Sequence, residues 1–285
     1  MTEGDPAATV PLDGGIRLVL TGKGGVGKTT LTAAIARLMA REGRRVLAVD
    51  ADAQLNLAAA LGIPRDEAEH LVPLSHHHDY IAEKTGVQPG ETGALVRLNP
   101  DLGDVVDRFG EPAPDGVRLL AMGTLSGAGG GCLCPENTTL AQAIRAVGLR
   151  PGEAIVLDTQ AGVEHFGRAI ARGFGHAAVV TDPTYSGTGV AIAAARFAGE
   201  LGIPTIHLVV NRVRDGADRE RVLADLERRG ADLRFASVTW LPWDPAVLEA
   251  EPAVDALLED PESPFMTAVR ALAATVTRMP LEATP

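Results

Sequence analysis

Apolar runs rich in β-branched residues recur along the chain, and stretches with helical spacing separate most of them. Between Leu31 and Met39, apolar side chains recur at positions i, i+3, i+4, i+7 and i+8, which predicts a helix with one apolar face. Gly43 follows this stretch and is a suitable end signal. The runs predict strands at Ile16–Thr21, Arg45–Asp50, Val117–Ala121, Ala154–Asp158, Ala177–Thr181, Thr205–Val210 and Phe235–Thr239.

This alternation of strands and helices predicts a doubly wound α/β fold, with a mostly parallel sheet covered by helices on both faces. Ligands of such sheets bind at the carboxyl ends of the strands. Residues from about 64 to 116 break the alternation with many charges, prolines and glycines. We therefore predict a disordered tail over 1–15 and one domain over 16–285 with an insertion at about 64–116. A final helix is expected at about Phe265–Arg278.

The segment Gly22–Thr30, with the sequence GKGGVGKTT, follows a predicted strand and opens a predicted helix, which is the context of a Walker A phosphate-binding loop. Glycines let backbone N–H groups turn toward phosphate oxygens, and the helix N-terminus adds its positive dipole end. Lys28 is expected to bridge the β- and γ-phosphates, and the Thr29 hydroxyl to bind Mg²⁺. The predicted nucleotide-binding residues of the loop are Gly24, Gly25, Val26, Gly27, Lys28, Thr29 and Thr30.

Lys23 is a second lysine near the start of this loop, at the position that defines the deviant Walker A group. The loop resembles that of the MinD/ParA partition ATPases, the nitrogenase iron protein and the arsenite-transport ATPases. The resemblance implies that Lys23 reaches across a dimer interface to the partner's nucleotide and acts in catalysis there. Phosphoryl transfer benefits from such an additional cation. An ordinary surface lysine is the alternative.

Two further segments end in carboxylates at predicted strand ends. By the same resemblance, Asp50–Asp52 is switch I, in which Asp52 would orient or activate the attacking water and Asp50 would support Mg²⁺ or the loop. Asp50 could instead cap the next segment. The apolar run Ile155–Leu157 leads into Asp158, a Walker B-like arrangement that would place Asp158 on Mg²⁺ through water. A helix-capping role is the alternative for Asp158.

The base is expected to be adenine. Asn211 stands at a predicted strand end, and an asparagine amide can pair with the N6 and N7 edge of adenine. Guanine readers of the related N-K-x-D type have an aspartate three positions on, where this chain has Arg214. The segment Leu241–Asp244, with Pro242 and Asp244, resembles the family's second base-side loop, and Asp182–Thr184 could line the same pocket. Pro242 could instead serve only as a turn residue. ATP is therefore favoured over GTP.

Cys132 and Cys134 are the two cysteines of the chain. Two thiolates are half of a tetrahedral site for a metal such as Zn²⁺, and thiolates suit soft metals. A two-fold homodimer would complete a four-cysteine site from two copies. Together with Lys23, this pair predicts a symmetric homodimer with a bridging Ni²⁺ or Zn²⁺. Two small buried residues or a redox disulfide are the alternatives.

The motifs together resemble those of the maturation ATPases that insert nickel into carbon monoxide dehydrogenase. The resemblance covers most of the chain and rests on the deviant Walker A loop, Asp50–Asp52, Cys132–Asn137 and Ala161–Arg168. It implies an enzyme that hydrolyses ATP, dimerises on ATP and nickel, holds the metal between subunits through its cysteines, and serves carbon monoxide dehydrogenase or another metalloenzyme. Two features depart from this pattern: Gln160 stands where an acid is expected, and the insertion is long.

Net charge and hydropathy indicate which kinds of partner this chain is expected to bind. The net charge is −11, and nonspecific nucleic-acid binding needs clustered cations, so no nucleic-acid partner is expected. No apolar run reaches the roughly 18 residues of a membrane span, so no membrane insertion is expected. The first residues of the sequence lack the charged and apolar regions of a signal peptide, which predicts a cytoplasmic protein. A membrane-positioning ATPase of the MinD/ParA kind should have a basic amphipathic C-terminal helix, but the predicted one has few cations.

Other uses of the same motifs remain open. An iron–sulfur cluster carrier ATPase could employ the two cysteines. The run His76–His78 could bind nickel or zinc, or could be a solvated loop. His165 could relay the nucleotide state to Cys132, or could simply begin a helix.

Overall fold

The computed structural model describes residues 15–52, 54–86, 103–123, 144, 147–162 and 170–278. The strands in these residues are β1 Ile16–Gly22, β2 Arg45–Ala51, β3 Glu111–Pro112, β4 Arg118–Ala121, β5 Glu153–Thr159, β6 His176–Thr181, β7 Thr205–Val213 and β8 Ser237–Pro242. They form one sheet in the order β3-β4-β2-β5-β1-β6-β7-β8. Every neighbouring pair is parallel except β3 and β4.

The helices in the described ranges lie between and after these strands. Their bounds are α1 Lys28–Arg41, α2 Leu57–Leu61, α3 Arg65–Glu69, α4 His78–Thr85, α5 Val105–Phe109, α6 Tyr185–Glu200, α7 Gly216–Arg229, α8 Pro245–Glu249, α9 Asp255–Leu258 and α10 Pro264–Arg278. Short 3₁₀ turns occur at Leu74–His76 and Pro114–Gly116. The predicted doubly wound α/β fold, with a mostly parallel sheet, is confirmed.

The described parts of the predicted insertion contain α3, α4, α5, β3 and both 3₁₀ turns. Of the predicted N-terminal tail, only Gly15 lies within the described residues. The division into a tail and one domain with an insertion stays a prediction.

Both faces of the sheet are covered, which explains why its strands are continuous apolar runs. All seven residues of β1 are buried, as are all six of β6. On one face, Leu31, Ile35 and Met39 of α1 join a core with α10 residues such as Phe265 and Leu272. On the other face, a second core gathers around Val19 and Leu157. The parallel order brings the carboxyl ends of β1, β2, β5 and β7 to one edge of the sheet.

A buried pair of histidines lies on the neighbouring strands β6 and β7. Nδ1 of His176 in β6 is 3.2 Å from Nε2 of His207 in β7, and Nδ1 of His207 is 2.8 Å from Oγ of Ser237. Burial lowers the pKa of each histidine to about 4. The pair is therefore neutral in the folded protein at neutral pH, and each added proton must be accommodated without water.

We expect the folded state to lose stability as the pH falls from about 6.5 toward 4, because an unfolded histidine has a pKa of about 6.5 and takes up the proton first. The contribution of the pair is fully present above that range. Removing one histidine by His207→Gln should reduce the pH slope of the unfolding free energy by up to about 1.4 kcal/mol per pH unit. Denaturant unfolding at a series of pH values would measure both slopes.

Buried carboxylates with raised pKa values change the unfolding free energy with pH in the opposite direction. They are the same in wild type and in His207→Gln, so their contribution cancels when the two pH slopes are compared. The matched control is His76→Gln, because His76 is exposed to solvent. It should leave the slope unchanged. Equal slopes for wild type and His207→Gln would contradict the assignment of acid sensitivity to this pair.

Candidate functional site

The loop Gly22–Thr30, called the P-loop below, connects β1 directly to α1 at the carboxyl edge of the sheet. Gly22 has a φ of 142°, and a Cβ there would lie 2.0 Å from the carbonyl oxygen of Val180. Gly27 caps α1 with a φ of 94°, and a Cβ there would lie 2.7 Å from Nδ2 of Asn211. Only glycine fits both positions, since a side chain would be strained and would collide. The P-loop is therefore tightly held between neighbouring strand ends.

Lys28 is the first residue of α1 and is only 7% exposed. Its Nζ donates to two carbonyl oxygens of its own loop, those of Gly22 at 3.4 Å and Lys23 at 3.1 Å. Burial lowers its pKa, while the charges of Asp158 and Asp52 oppose that shift. A desolvated ammonium beside a helix N-terminus is suited to an anionic ligand such as a phosphate.

The Thr29 hydroxyl and the Asp158 carboxylate form a hydrogen-bonded pair near Lys28. The Thr29 hydroxyl donates to Oδ2 of Asp158 at 2.6 Å, and the Thr32 hydroxyl lies 3.4 Å from Oδ1 of the same carboxylate. Burial raises the pKa of Asp158 to about 6, although the Thr29 hydrogen bond and the charge of Lys28 act to lower it. A hydroxyl and one carboxylate fit Mg²⁺, which usually takes few protein ligands and completes its shell with phosphates and water.

Asp50 supports the loop that follows β2. Its Oδ1 accepts from the Asp52 amide and its Oδ2 from the Leu57 amide, both at 2.9 Å. Burial, and then the neighbouring charge of Asp158, raise the pKa of Asp50 to about 7. Leu57 begins α2, so the Asp50 carboxylate contacts both the loop after β2 and the first residue of this helix. Asp52 lies closer to solvent, and its Oδ1 accepts from the Gln54 amide at 3.0 Å.

A cavity of about 700 Å³ opens in front of these residues. Its lining includes ten of the predicted site residues, namely Gly24, Gly25, Gly27, Lys28, Thr29, Thr30, Asp52, Asn211, Pro242 and Asp244. Val26, Asp50 and Asp158 are buried and do not line it. Gln160 lines the cavity at the position where an acid was expected. The structure thus brings the predicted phosphate and base residues to one cavity.

Asn211 and Asp244, the two polar residues predicted to contact the base, form hydrogen bonds to backbone groups. Asn211 donates from Nδ2 to the Val26 carbonyl at 2.8 Å, and its Oδ1 accepts from the Arg212 amide at 2.8 Å. Asp244 caps α8, because its Oδ1 accepts from the Ala246 amide at 3.0 Å. Its Oδ2 accepts from the Ser263 hydroxyl at 3.2 Å. Both side chains therefore stabilise the backbone that lines this part of the cavity.

Lys23 lies outside the cavity lining and contacts its own chain. Its Nζ donates to Oγ of Ser186 at 3.1 Å and lies 3.9 Å from Oδ2 of Asp182, with the side chain 36% exposed. Sequence reasoning missed this partnership and placed Asp182 near the base instead. The only signal was a strand-end Asp-Pro-Thr segment, which does not identify its partner. The role of Lys23 across a dimer interface stays a prediction.

Cys132, Cys134 and His165 lie outside the described residues. Within the described part of the chain, no three His, Cys, Asp or Glu side chains converge to hold a metal ion. Of the histidine run, His77 packs its ring 4.4 Å from that of Phe109. No helix in the described ranges combines the length and apolar composition that a bilayer crossing requires.

A parallel sheet, a glycine-rich strand-to-helix loop, a buried lysine and a Thr–Asp pair together define a P-loop nucleotide-binding protein. Residues 18–253 match the family described as CbiA: CobQ/CobB/MinD/ParA nucleotide binding domain. The chain belongs to this family of P-loop ATPases.

Two relatives in sequence cover most of the chain. An uncharacterized ATP-binding protein of Methanocaldococcus jannaschii is 35% identical over 83% of this chain and 88% of its own length. The carbon monoxide dehydrogenase accessory protein CooC of Rhodospirillum rubrum is 33% identical over 84% of this chain and 88% of its own length. Two resemblances expected from the sequence are thereby confirmed as similarities: the one to the MinD/ParA ATPases and the one to the maturation ATPases of carbon monoxide dehydrogenase.

Solved structures agree on the fold. The MinD cell division protein of Aquifex aeolicus superposes with a TM-score of 0.61 at 22% identity, covering 95% of this chain and 98% of that one. MinD of Pyrococcus horikoshii, complexed with Mg-ADP, gives a TM-score of 0.61 at 22% identity and covers 93% and 96%. At this identity the likeness establishes the fold alone.

Proposed function

We propose that this protein is an ATP-hydrolysing metallochaperone that dimerises around ATP and a metal ion, and inserts nickel into carbon monoxide dehydrogenase or a similar metalloenzyme. The observation that carries the ATP part is the buried Lys28, which has loop carbonyls as its hydrogen-bond acceptors beside the Thr29–Asp158 pair. The client is inferred from the 33% identity to CooC together with the Cys132–Cys134 pair.

The residues of the cavity would share the work of hydrolysis. P-loop amides and the Lys28 ammonium would bind the phosphates, since both present hydrogen-bond donors to anionic oxygens. Thr29 and Asp158 would hold Mg²⁺, which neutralises charge on the phosphates when bound. Asp52 lines the cavity and would orient the attacking water. Asp50 would fix the loop that carries Asp52, through its bonds to the Asp52 and Leu57 amides.

Dimerisation would couple the binding of the nucleotide to the binding of the metal ion. A closed dimer would let Lys23 of each protomer reach its partner's nucleotide and would bring two cysteine pairs together as four thiolate ligands. ATP can favour that state only by binding it more tightly than the open state. Lys23 must first leave Asp182 and Ser186, and an exposed ion pair of this kind contributes only about 0–1 kcal/mol. Hydrolysis would then reopen the dimer and release the metal.

A transfer assay tests this function. Protein loaded with nickel under anaerobic conditions is mixed with nickel-free carbon monoxide dehydrogenase, and carbon monoxide oxidation is followed with ATP or with a non-hydrolysable analogue. We expect activity to appear with ATP and to stay low with the analogue. Equal activation without any nucleotide would refute the ATP-driven transfer. Protein that instead purifies with iron and sulfide would establish the iron–sulfur carrier alternative.

A further inference from the structure

The cavity lining combines the polar P-loop with a largely apolar segment, residues 242–252. That segment contributes Pro242, Trp243, Val247, Leu248 and Pro252, together with the acidic residues Asp244 and Glu251. The Trp243 side chain is 51% exposed and Leu248 is 62% exposed, whereas most large apolar side chains in the described residues are buried. Exposed apolar surface at a cavity wall is unfavourable in water and favours a flat apolar partner.

The backbone under Trp243 is fixed on both sides. Its amide donates to the carbonyl oxygen of Val213 at 2.8 Å, which ties the residue to the end of β7. The preceding residue ends β8, and the following residue caps α8. The indole is therefore presented by an anchored segment, so ordering it against a ligand requires little loss of backbone entropy.

Asn211 and Asp244, the polar residues predicted to contact the base, are already hydrogen-bonded within the protein, and the Asn211 amide keeps one further N–H and one further lone pair. Both polar ends of the Asn211 amide already take part in hydrogen bonds to Val26 and Arg212. Both carboxylate oxygens of Asp244 accept bonds from Ala246 and Ser263. An aromatic plane recognises a base through its face and requires none of these groups.

We propose that Trp243 stacks its indole against the adenine ring and is a base-binding residue of the cavity. This inference rests on the proposed binding of ATP. Stacking of a base on an aromatic side chain typically strengthens binding by roughly 5- to 100-fold. Trp243 would thereby supply affinity for the nucleoside half of the ligand, while the P-loop supplies affinity for the phosphates.

The test compares ligands with and without a base. Calorimetric titrations with Mg²⁺ would measure the affinity of wild type, Trp243→Ala and Trp243→Phe for ATP and for inorganic triphosphate. We expect Trp243→Ala to weaken ATP binding roughly 5- to 100-fold and to leave triphosphate binding unchanged. Trp243→Phe should recover most of the ATP affinity. The matched control is Leu223→Ala, because Leu223 is also 51% exposed but lies on α7, outside the cavity lining.

Fluorescence gives a second readout, because the chain has two tryptophans, Trp240 and Trp243. In a Trp240→Phe background, ATP should change the Trp243 emission and inorganic triphosphate should not. Unchanged ATP affinity in Trp243→Ala, or an equal loss for both ligands, would overturn the stacking role. If wild type fails to bind ATP at all, the proposed function fails; if wild type binds and the variant binds equally well, only the stacking role fails.

Discussion

Replacing Lys28 with methionine is expected to lower Mg-ATP affinity and ATP turnover by about 100-fold or more, the scale for losing one preorganised donor to a developing anion. Methionine keeps most of the length and the apolar stem of the side chain but removes the ammonium group. That group is buried and donates to the carbonyls of Gly22 and Lys23. Titration calorimetry with Mg-ATP and a phosphate-release assay would measure the two losses.

The stability of the same variant separates ligand binding from folding. Burial lowers the pKa of Lys28, so its charged form is disfavoured in the folded protein and its removal should not lower the melting temperature without nucleotide. The matched control is Lys23→Met in the same loop. The monomer should retain nucleotide affinity, because Lys23 does not line the cavity of its own chain, while the dimer should lose turnover. Binding of Mg-ATP by Lys28→Met within a few-fold of wild type would contradict the phosphate role of Lys28.

Cys132→Ser is expected to weaken nickel or zinc binding by several orders of magnitude, because each dimer loses two of its four proposed thiolate ligands. Metal-dependent dimerisation should disappear with it. ATP affinity should stay at the wild-type level, since the described cavity lining accounts for the predicted phosphate and base contacts. Metal analysis and light scattering under anaerobic conditions, with nickel present or absent, would measure both effects.

An exposed histidine provides the control for this variant. His76→Gln should leave metal binding unchanged if the histidine run is a solvated segment. A Cys132→Ser protein that still dimerises on nickel would exclude the bridging arrangement. Loss of nickel in His76→Gln would instead place the histidines in the metal site.

Much of the fold could be predicted from local patterns. Seven strands were predicted, and each matches an observed strand, because strands buried on both faces are apolar throughout and stand out in sequence. The prediction for β8 began two residues early, at Phe235 instead of Ser237. The two-residue strand β3 was missed because so short a segment has no periodicity. The last helix begins at Pro264, one residue before its predicted start.

The partners of the site residues could not be predicted, because they depend on which strands are neighbours. Asp50 faces Asp158 only because β2 lies beside β5 in this register. The order of the strands also places Asn211 of β7 behind the P-loop, where it binds the Val26 carbonyl. The P-loop itself was recognisable because its glycines, lysines and threonines have a fixed local spacing.

We propose that two copies of this chain share one metal ion when ATP is bound. The nickel content per dimer, measured together with the molar mass under anaerobic conditions, with and without Mg-ATP, tests this arrangement. We expect one nickel ion per two chains in a dimer that forms fully with ATP and nickel together. Nickel bound by monomers at one per chain, or a dimer formed with ATP that binds no nickel, would contradict it.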